Sequence, residues 1–191
     1  MTEESVFRDR LSNRLAGNRH AEPDRPGFQR AGVLVPVIDS RGTQDLLFTR
    51  RTHIVETHKG QISFPGGVVD GADENIVATA LREMEEETGI HPATVRTMGL
   101  LDDLATPTGF LITPVVGLFN ALPSITPNPD EVAEVFTVPL EFFFDTRNRR
   151  VERHRFDGVE REGWRFTYRG KTIWGATAVI IRSLLLRLDR T

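Results

Sequence analysis

Arg82-Glu83-Met84-Glu85-Glu86-Glu87-Thr88-Gly89-Ile90 is the stretch from which the rest of the chain can be read. On a helix, successive residues turn by about 100°. With Glu83 set at zero, Glu86 falls near −60° and Glu87 near +40°, so three carboxylates share an arc of about 100°. Glu85 points roughly 100° or more away from each of them, which makes it a solvent residue. Val77, Ala80, Leu81 and Met84 fall between about 60° and 160° and form an apolar stripe. The acidic arc therefore borders the face the helix must bury. Asp73 is the expected N-cap, and Gly89 stands where a C′ glycine belongs, with Ile90 supplying the apolar contact that accompanies it. The spacing thus predicts a helix over 73–88.

Like charges three and four residues apart destabilise a helix by a few tenths of a kcal/mol per pair. Arg82, four residues before Glu86, offsets one of them. A divalent cation would offset far more, and an oxygen-only donor set suits a hard ion such as Mg²⁺ or Mn²⁺. Taken alone, the acidic run reads first as a solvated helix face. Phe64-Pro65-Gly66-Gly67 lies just upstream. Adjacent glycines let a backbone approach a ligand closely, and they also make tight turns. A glycine turn, a short loop and a helix bearing Arg-Glu-x-x-Glu-Glu-x-Gly form a long spaced pattern that chance rarely assembles.

The surrounding chain is consistent with one domain. It has 191 residues and a net charge of −3, too near neutral for a protein that coats nucleic acid. Hydrophobic residues make up 39%, enough for an ordinary core. The chain has no cysteine, which excludes disulfides, thiolate metal sites and a cysteine nucleophile. The first residues carry no basic and apolar leader, and no stretch is long and apolar enough to span a bilayer, so a cytoplasmic location is expected, without membrane or nucleic-acid partners. Residues 1–29 read as an N-terminal arm with weak helical spacing at Val6, Leu11 and Leu15, ended by Pro23 and Pro26; residues 30–191 read as the main domain. Strands are expected at 31–38 and 46–50 around a turn at 40–42, then near 95–102, 110–119 and 132–138. A short helix or turn follows at 140–144, a hairpin at 164–174, and a helix at 176–188 apolar at Ile181, Leu184, Leu185 and Leu188. The connection 52–72 is too long to be idle. Helices and strands mix without a βαβ rhythm, which points to α+β with a mixed sheet.

The acidic stretch resembles the Nudix hydrolase signature: a Gly, five residues, Glu, seven residues, then Arg-Glu-apolar-any-Glu-Glu-any-Gly-apolar. Its second half matches from Arg82 to Ile90. Its first half carries one extra residue, so that Asp73, counted from Gly67, or Glu74, counted from Arg82, takes the acidic place. The chain is also similar to the coenzyme A pyrophosphatase group, whose upstream signature is followed by Leu47-Phe48-Thr49-Arg50-Arg51-Thr52, Gly60 and Phe64-Pro65-Gly66-Gly67. Segments 106–110, 131–136 and 173–178 resemble later parts of that group. One position departs: Glu56 stands where an arginine is expected, with His53, His58 and Lys59 nearby.

The resemblance implies a Nudix-like α/β/α sandwich with a mixed β-sheet. It implies metal-dependent hydrolysis of a diphosphate joined to a nucleoside: coenzyme A or acyl-CoA, cut to adenosine 3′,5′-bisphosphate and (acyl-)phosphopantetheine. ADP-ribose, a dinucleotide or a nucleoside triphosphate are the alternative substrates, and a catalytically silent nucleotide-binding regulator is the alternative from another class. Glu83, Glu86 and Glu87 are the implied ligands of Mg²⁺ or Mn²⁺. Arg82 orients a ligand carboxylate, and Glu131, Glu134 or a glutamate of the helix serves as general base. Arg50, Arg51, Gly60, Phe64, Gly66 and Gly67 are the implied substrate-binding set. The five histidines show no ligand spacing. Arg147, Arg149, Arg150, Arg153 and Arg155 read as a solvated hairpin or as a patch for a 3′-phosphate. Phe142, Phe143 and Phe144 read as core or as pocket lining. The C-terminal helix could pair two copies of the chain.

Overall fold

The computed structural model describes residues 3–16, 26–40, 42–52, 60–156 and 159–188. Glu56, His53, His58 and Lys59 lie outside these, as does the proline pair's first member, Pro23. The chain forms α1 (Glu3–Ala16), β1 (Gln29–Ser40), β2 (Thr43–Arg51), β3 (Ile62–Ser63), β4 (Gly66–Val68), α2 (Ile76–Thr88), β5 (Arg96–Leu100), β6 (Leu104–Ala105) and β7 (Phe110–Phe119). There follow β8 (Val132–Pro139), α3 (Leu140–Phe144), β9 (Arg149–Phe156), β10 (Val159–Tyr168), β11 (Lys171–Ile173) and α4 (Gly175–Leu188). The connection 52–72 thus contains two short strands that its composition hid.

One sheet runs β3-β2-β1-β7-β5, with β4 added to β1, β6 to β7 and β8 to β2. Its centre, β1 against β7, is parallel over ten residue pairs, from Gln29↔Phe110 to Ile38↔Phe119, and every other pairing is antiparallel. This is the mixed sheet the sequence suggested. Strands buried on both faces read as continuous apolar runs, and β1 and β7 do so. Side chains alternate between the faces. Leu34, Ile38, Leu47, Val115 and Phe119 meet Ala80 and Met84 of α2 on one side. Val35, Val37, Leu46, Phe48, Val116 and Leu118 meet α1, α3 and α4 on the other. The result is an α+β sandwich with helices on both faces.

A second sheet, β11-β10-β9, packs its Phe166 and Ile173 into the latter core. Its β10–β11 turn has Arg169 at φ 47° and Gly170 at φ 77°, the two positive dihedrals that a tight two-residue hairpin requires. In the arm, Leu11 and Leu15 are buried in the same core, whereas Val6 is exposed. Of the three phenylalanines, Phe143 is buried against Phe48 and Phe166, and Phe142 and Phe144 flank it half-buried. Among the described residues no helix is long and apolar enough to cross a membrane.

How close α2 lies to the sheet is set by glycine. Gly32, mid-β1, pairs with Gly67 of β4. A Cβ at Gly32 would stand 2.8 Å from the Ile76 carbonyl and 3.0 Å from the Ala80 nitrogen, both backbone atoms of the helix. Gly32→Ala is therefore expected to lift α2 and cost about 1–3 kcal/mol, measured by urea unfolding. Parental stability would contradict this close approach.

Candidate active site

The helix that carries the carboxylates starts later than its sequence suggested. Its N-cap is Asn75, whose Oδ1 accepts from the Val77 and Ala78 nitrogens at 2.9 and 3.1 Å. Asp73 is therefore not the cap. Its carboxylate folds back to accept the Nε and Nη2 of Arg82, each at 3.0 Å, and the Thr79 hydroxyl at 2.8 Å. The Asp73 side chain is only 5% exposed, and Glu74 is exposed to solvent. Of the two acids left open by the extra loop residue, Asp73 is the one Arg82 holds. That arginine keeps the Asp73 carboxyl well below the usual carboxylate range. The helix ends as expected: Gly89, at φ 69°, donates its N–H to the Glu85 carbonyl.

Arg82 has five N–H donors in a fixed fork, and the site uses all of them. Besides the two on Asp73, Nη1 reaches Glu83 Oε1 at 2.8 Å and Glu86 Oε2 at 2.9 Å, and Nη2 reaches the Val68 carbonyl at 3.2 Å. One side chain thereby ties the loop, β4 and two helix carboxylates together.

The three glutamates are graded in burial as their helical angles require. Side-chain exposure is 54% at Glu86, 17% at Glu83 and 3% at Glu87. Glu85 is exposed. Gly67 lies against Glu83 so closely that a Cβ there would overlap its carboxylate, with the oxygens at 2.5 and 2.6 Å. Gly66 brings β4 equally close to Val33. Burial pushes the Glu83 carboxyl up, opposed by the Arg82 hydrogen bond and reinforced by the charges of Glu86 and Glu131. Glu87 is pushed up to about 7, chiefly by burial; Arg51 opposes this, and the charges of Glu83 and Glu131 add to it.

Glu131 enters from a loop anchored on both sides. The Asn128 and Thr126 nitrogens bond the Glu87 and Thr88 carbonyls at 3.0 and 2.8 Å, and the Thr52 nitrogen bonds the Glu131 carbonyl at 2.9 Å. Glu134, the other candidate base, is held elsewhere by Arg50 at 3.2 Å and Lys171 at 2.9 Å. Arg51 sits 3.7 Å from Glu87, but Arg50, one residue earlier, faces the other side of β2 and does not join the carboxylates. Phe64 is buried and stacked on Phe48 with centroids 4.7 Å apart, so its side chain is core. Gly60, at φ 67°, turns the chain into β3. In the basic run, Arg147 pairs with Asp145, Arg149 lies 4.0 Å over Trp164, and Arg150 and Arg153 are exposed. The Arg155 side chain lies outside the described residues. Sequence reasoning missed Thr49, whose hydroxyl donates to Glu87 Oε2 at 3.3 Å. A lone hydroxyl in the apolar run Leu46-Leu47-Phe48 was the available signal.

Among the described residues no three acidic or histidine side chains form a closed metal cage as they stand, since Arg82 spans Glu83 and Glu86. The donor set nonetheless fits a hard divalent cation. It is all oxygen, and its two least exposed members, Glu83 and Glu87, are disfavoured as anions chiefly by burial and further by neighbouring carboxylates, Glu86 and Glu131 acting on Glu83, and Glu83 and Glu131 on Glu87.

A model of the NUDIX domain matches residues 28–157. A Pectobacterium atrosepticum protein described as an uncharacterized Nudix hydrolase, NudL, is 42% identical over 174 residues, 86% of this chain and 86% of its own length. A Klebsiella pneumoniae protein of the same description is 39% identical over 172 residues, 90% of this chain and 86% of its own. The crystal structure of DR0079 from Deinococcus radiodurans aligns with a TM-score of 0.52 over 89% of this chain and 91% of that one. At 15% identity that likeness is one of fold.

Because Glu87 in the native state holds its proton up to about pH 7, against 4.5 for the ordinary group, its contribution to stability is greatest below about pH 4.5 and is lost as pH rises to about 7. In metal-free thermal melts, Glu87→Gln is expected to gain in Tm over the parent between about pH 5 and about pH 8. A difference that stays constant over that range would show that Glu87 carries no such burden.

Proposed function

This chain belongs to the Nudix family, and from that premise we propose that it is a metal-dependent hydrolase of the diphosphate bond in a nucleoside diphosphate derivative, coenzyme A or acyl-CoA being the substrate. The reading is carried by one observation: Glu87, enclosed, and Glu83, mostly so, lie on a single surface with Glu131 close enough for its charge to act on both, and burial with neighbouring carboxylate charge raises the proton affinity of Glu83 and Glu87. A structure keeps so costly a cluster when a cation completes it. Similarity of the segments around 47–52, 60–67, 106–110 and 173–178 to the coenzyme A pyrophosphatase group supports the finer substrate. Glu56, in place of that group's arginine, favours a second reading in which another nucleoside diphosphate compound is cleaved.

Glu83, Glu86 and Glu87 would hold Mg²⁺ or Mn²⁺, which when bound neutralises diphosphate charge, orients the phosphates and lowers the pKa of a bound water. The chain's own residues do the rest. Arg82 fixes the orientation of Glu83 and Glu86 and is itself fixed by Asp73. Gly66 and Gly67 let β4 close against β1 and against the Glu83 carboxylate, which keeps that carboxylate in place. Arg51 presents a positive charge to the anionic substrate at the Glu87 end. A Glu131 carboxylate oxygen takes the proton from the attacking water as the P–O bond to the leaving phosphate breaks.

Two measurements test this. Incubation with Mg²⁺ or Mn²⁺ and a panel of coenzyme A, acyl-CoA, ADP-ribose, dinucleotides and nucleoside triphosphates, read by mass, is expected to give adenosine 3′,5′-bisphosphate and phosphopantetheine. Cleavage of another member alone would move the substrate to the second reading, and no turnover at all would contradict the activity. Glu86→Gln, on an exposed position, is expected to lose about 10²–10⁴ in kcat with an unchanged melting curve. Parental kcat would remove Glu86 from the ligand set.

A further inference from the structure

The hydroxyl of Thr49 has no reason to be where it is if β2 serves only the core. Thr49 is fully buried, follows Phe48 and Leu47, and pairs across the strands with Val135. Leu47 and Val135 both pack in the apolar cluster beneath α2. Valine has the same branched shape, favours strands as strongly, and carries no polar atom to desolvate. What threonine adds is one O–H, and this one points at the helix: Oγ1 lies 3.3 Å from Glu87 Oε2 and 3.5 Å from the Ser63 carbonyl. The other Glu87 oxygen, Oε1, faces Arg51 at 3.7 Å, two residues along the same face of β2.

We infer that Thr49 is a positioning residue for Glu87, fixing the plane of its carboxylate so that Oε1 stays turned towards Arg51 and the ion site. Glu87 is 3% exposed, so water cannot take over this role. Without the hydroxyl, Oε2 loses this donor and the carboxylate is free to rotate about its terminal bond, which is soft and roughly two-fold. Partners of this kind, one step removed from a metal ligand, set ligand orientation and affinity. Among the described residues, the other buried threonine hydroxyls serve other groups: Thr52 bonds the Asp130 carbonyl, Thr79 Asp73, Thr88 the Met84 carbonyl, Thr106 the Phe110 carbonyl, Thr113 Asp103 and Thr177 the Ile62 carbonyl.

The inference rests on the proposed role of Glu87 as a ligand, and the test separates the two. Mn²⁺ affinity is measured by electron paramagnetic resonance on the parent, Thr49→Val, Thr49→Ser and Glu87→Gln, with melting curves to establish that each is folded. Thr49→Val is expected to weaken Mn²⁺ binding about 10–100-fold, to lower kcat with little change in KM, and to melt at or above the parental temperature. Thr49→Ser, which restores the hydroxyl, is expected to recover most of the loss. Parental Mn²⁺ affinity in Thr49→Val, with Glu87→Gln impaired, would overturn the positioning role alone. Parental affinity in Glu87→Gln would overturn both it and the ligand role on which it rests.

Discussion

Like charges held against an apolar surface are the constraint around which this molecule is built. Glu87 is almost wholly enclosed between α2 and the sheet, Glu83 is mostly so, and Glu131 is brought up beside them. Several devices make that arrangement tolerable. Arg82 spends every donor of its guanidinium on Asp73, Glu83, Glu86 and a carbonyl of β4. Arg51 and Thr49 serve one oxygen of Glu87 each. Burial, with some help from the neighbouring carboxylates, still leaves Glu87 holding its proton to about pH 7, and a divalent ion is the natural complement to what is left.

The fold serves this site through close approach. Gly32 and Gly67 are paired across β1 and β4, and each lets part of α2 descend where a side chain would stop it: the helix backbone over Gly32, the Glu83 carboxylate over Gly67. The loop before β8 is tied to the last turn of α2 and to the end of β2, so Glu131 is located by the same two elements that locate Glu87. Carboxylates from separate segments thus share one rigid frame. Placing reactive groups on rigid elements rather than on loose loops is what precise chemistry requires.

Much of this could be read from the amino-acid order. The helical angles of Glu83, Glu86 and Glu87 already ranked their burial, and Gly89 and Ile90 marked the helix end, because local periodicity and caps need no tertiary knowledge. Strands β1, β2, β7 and β8 and helix α4 were legible for the same reason. What escaped depends on contacts distant in sequence. Asp73 looks like a cap by position, yet an arginine nine residues on claims its carboxylate. Asn75 takes the cap instead. Arg50 and Arg51 are indistinguishable in sequence, but alternation along β2, with a register shift between them, sends one to Glu134 and the other to Glu87. Phe64, part of a motif, proves to be core because its ring stacks on Phe48.

The acidic face of α2 as a cation site is the feature on which the proposed chemistry depends. Anomalous diffraction from a crystal grown with Mn²⁺ addresses it most directly. The expected result is a peak within coordination distance of the Glu83, Glu86 and Glu87 carboxylates, with Arg82 withdrawn from at least one of them. A map without such a peak, in which Arg82 still clasps Glu83 and Glu86, would contradict it.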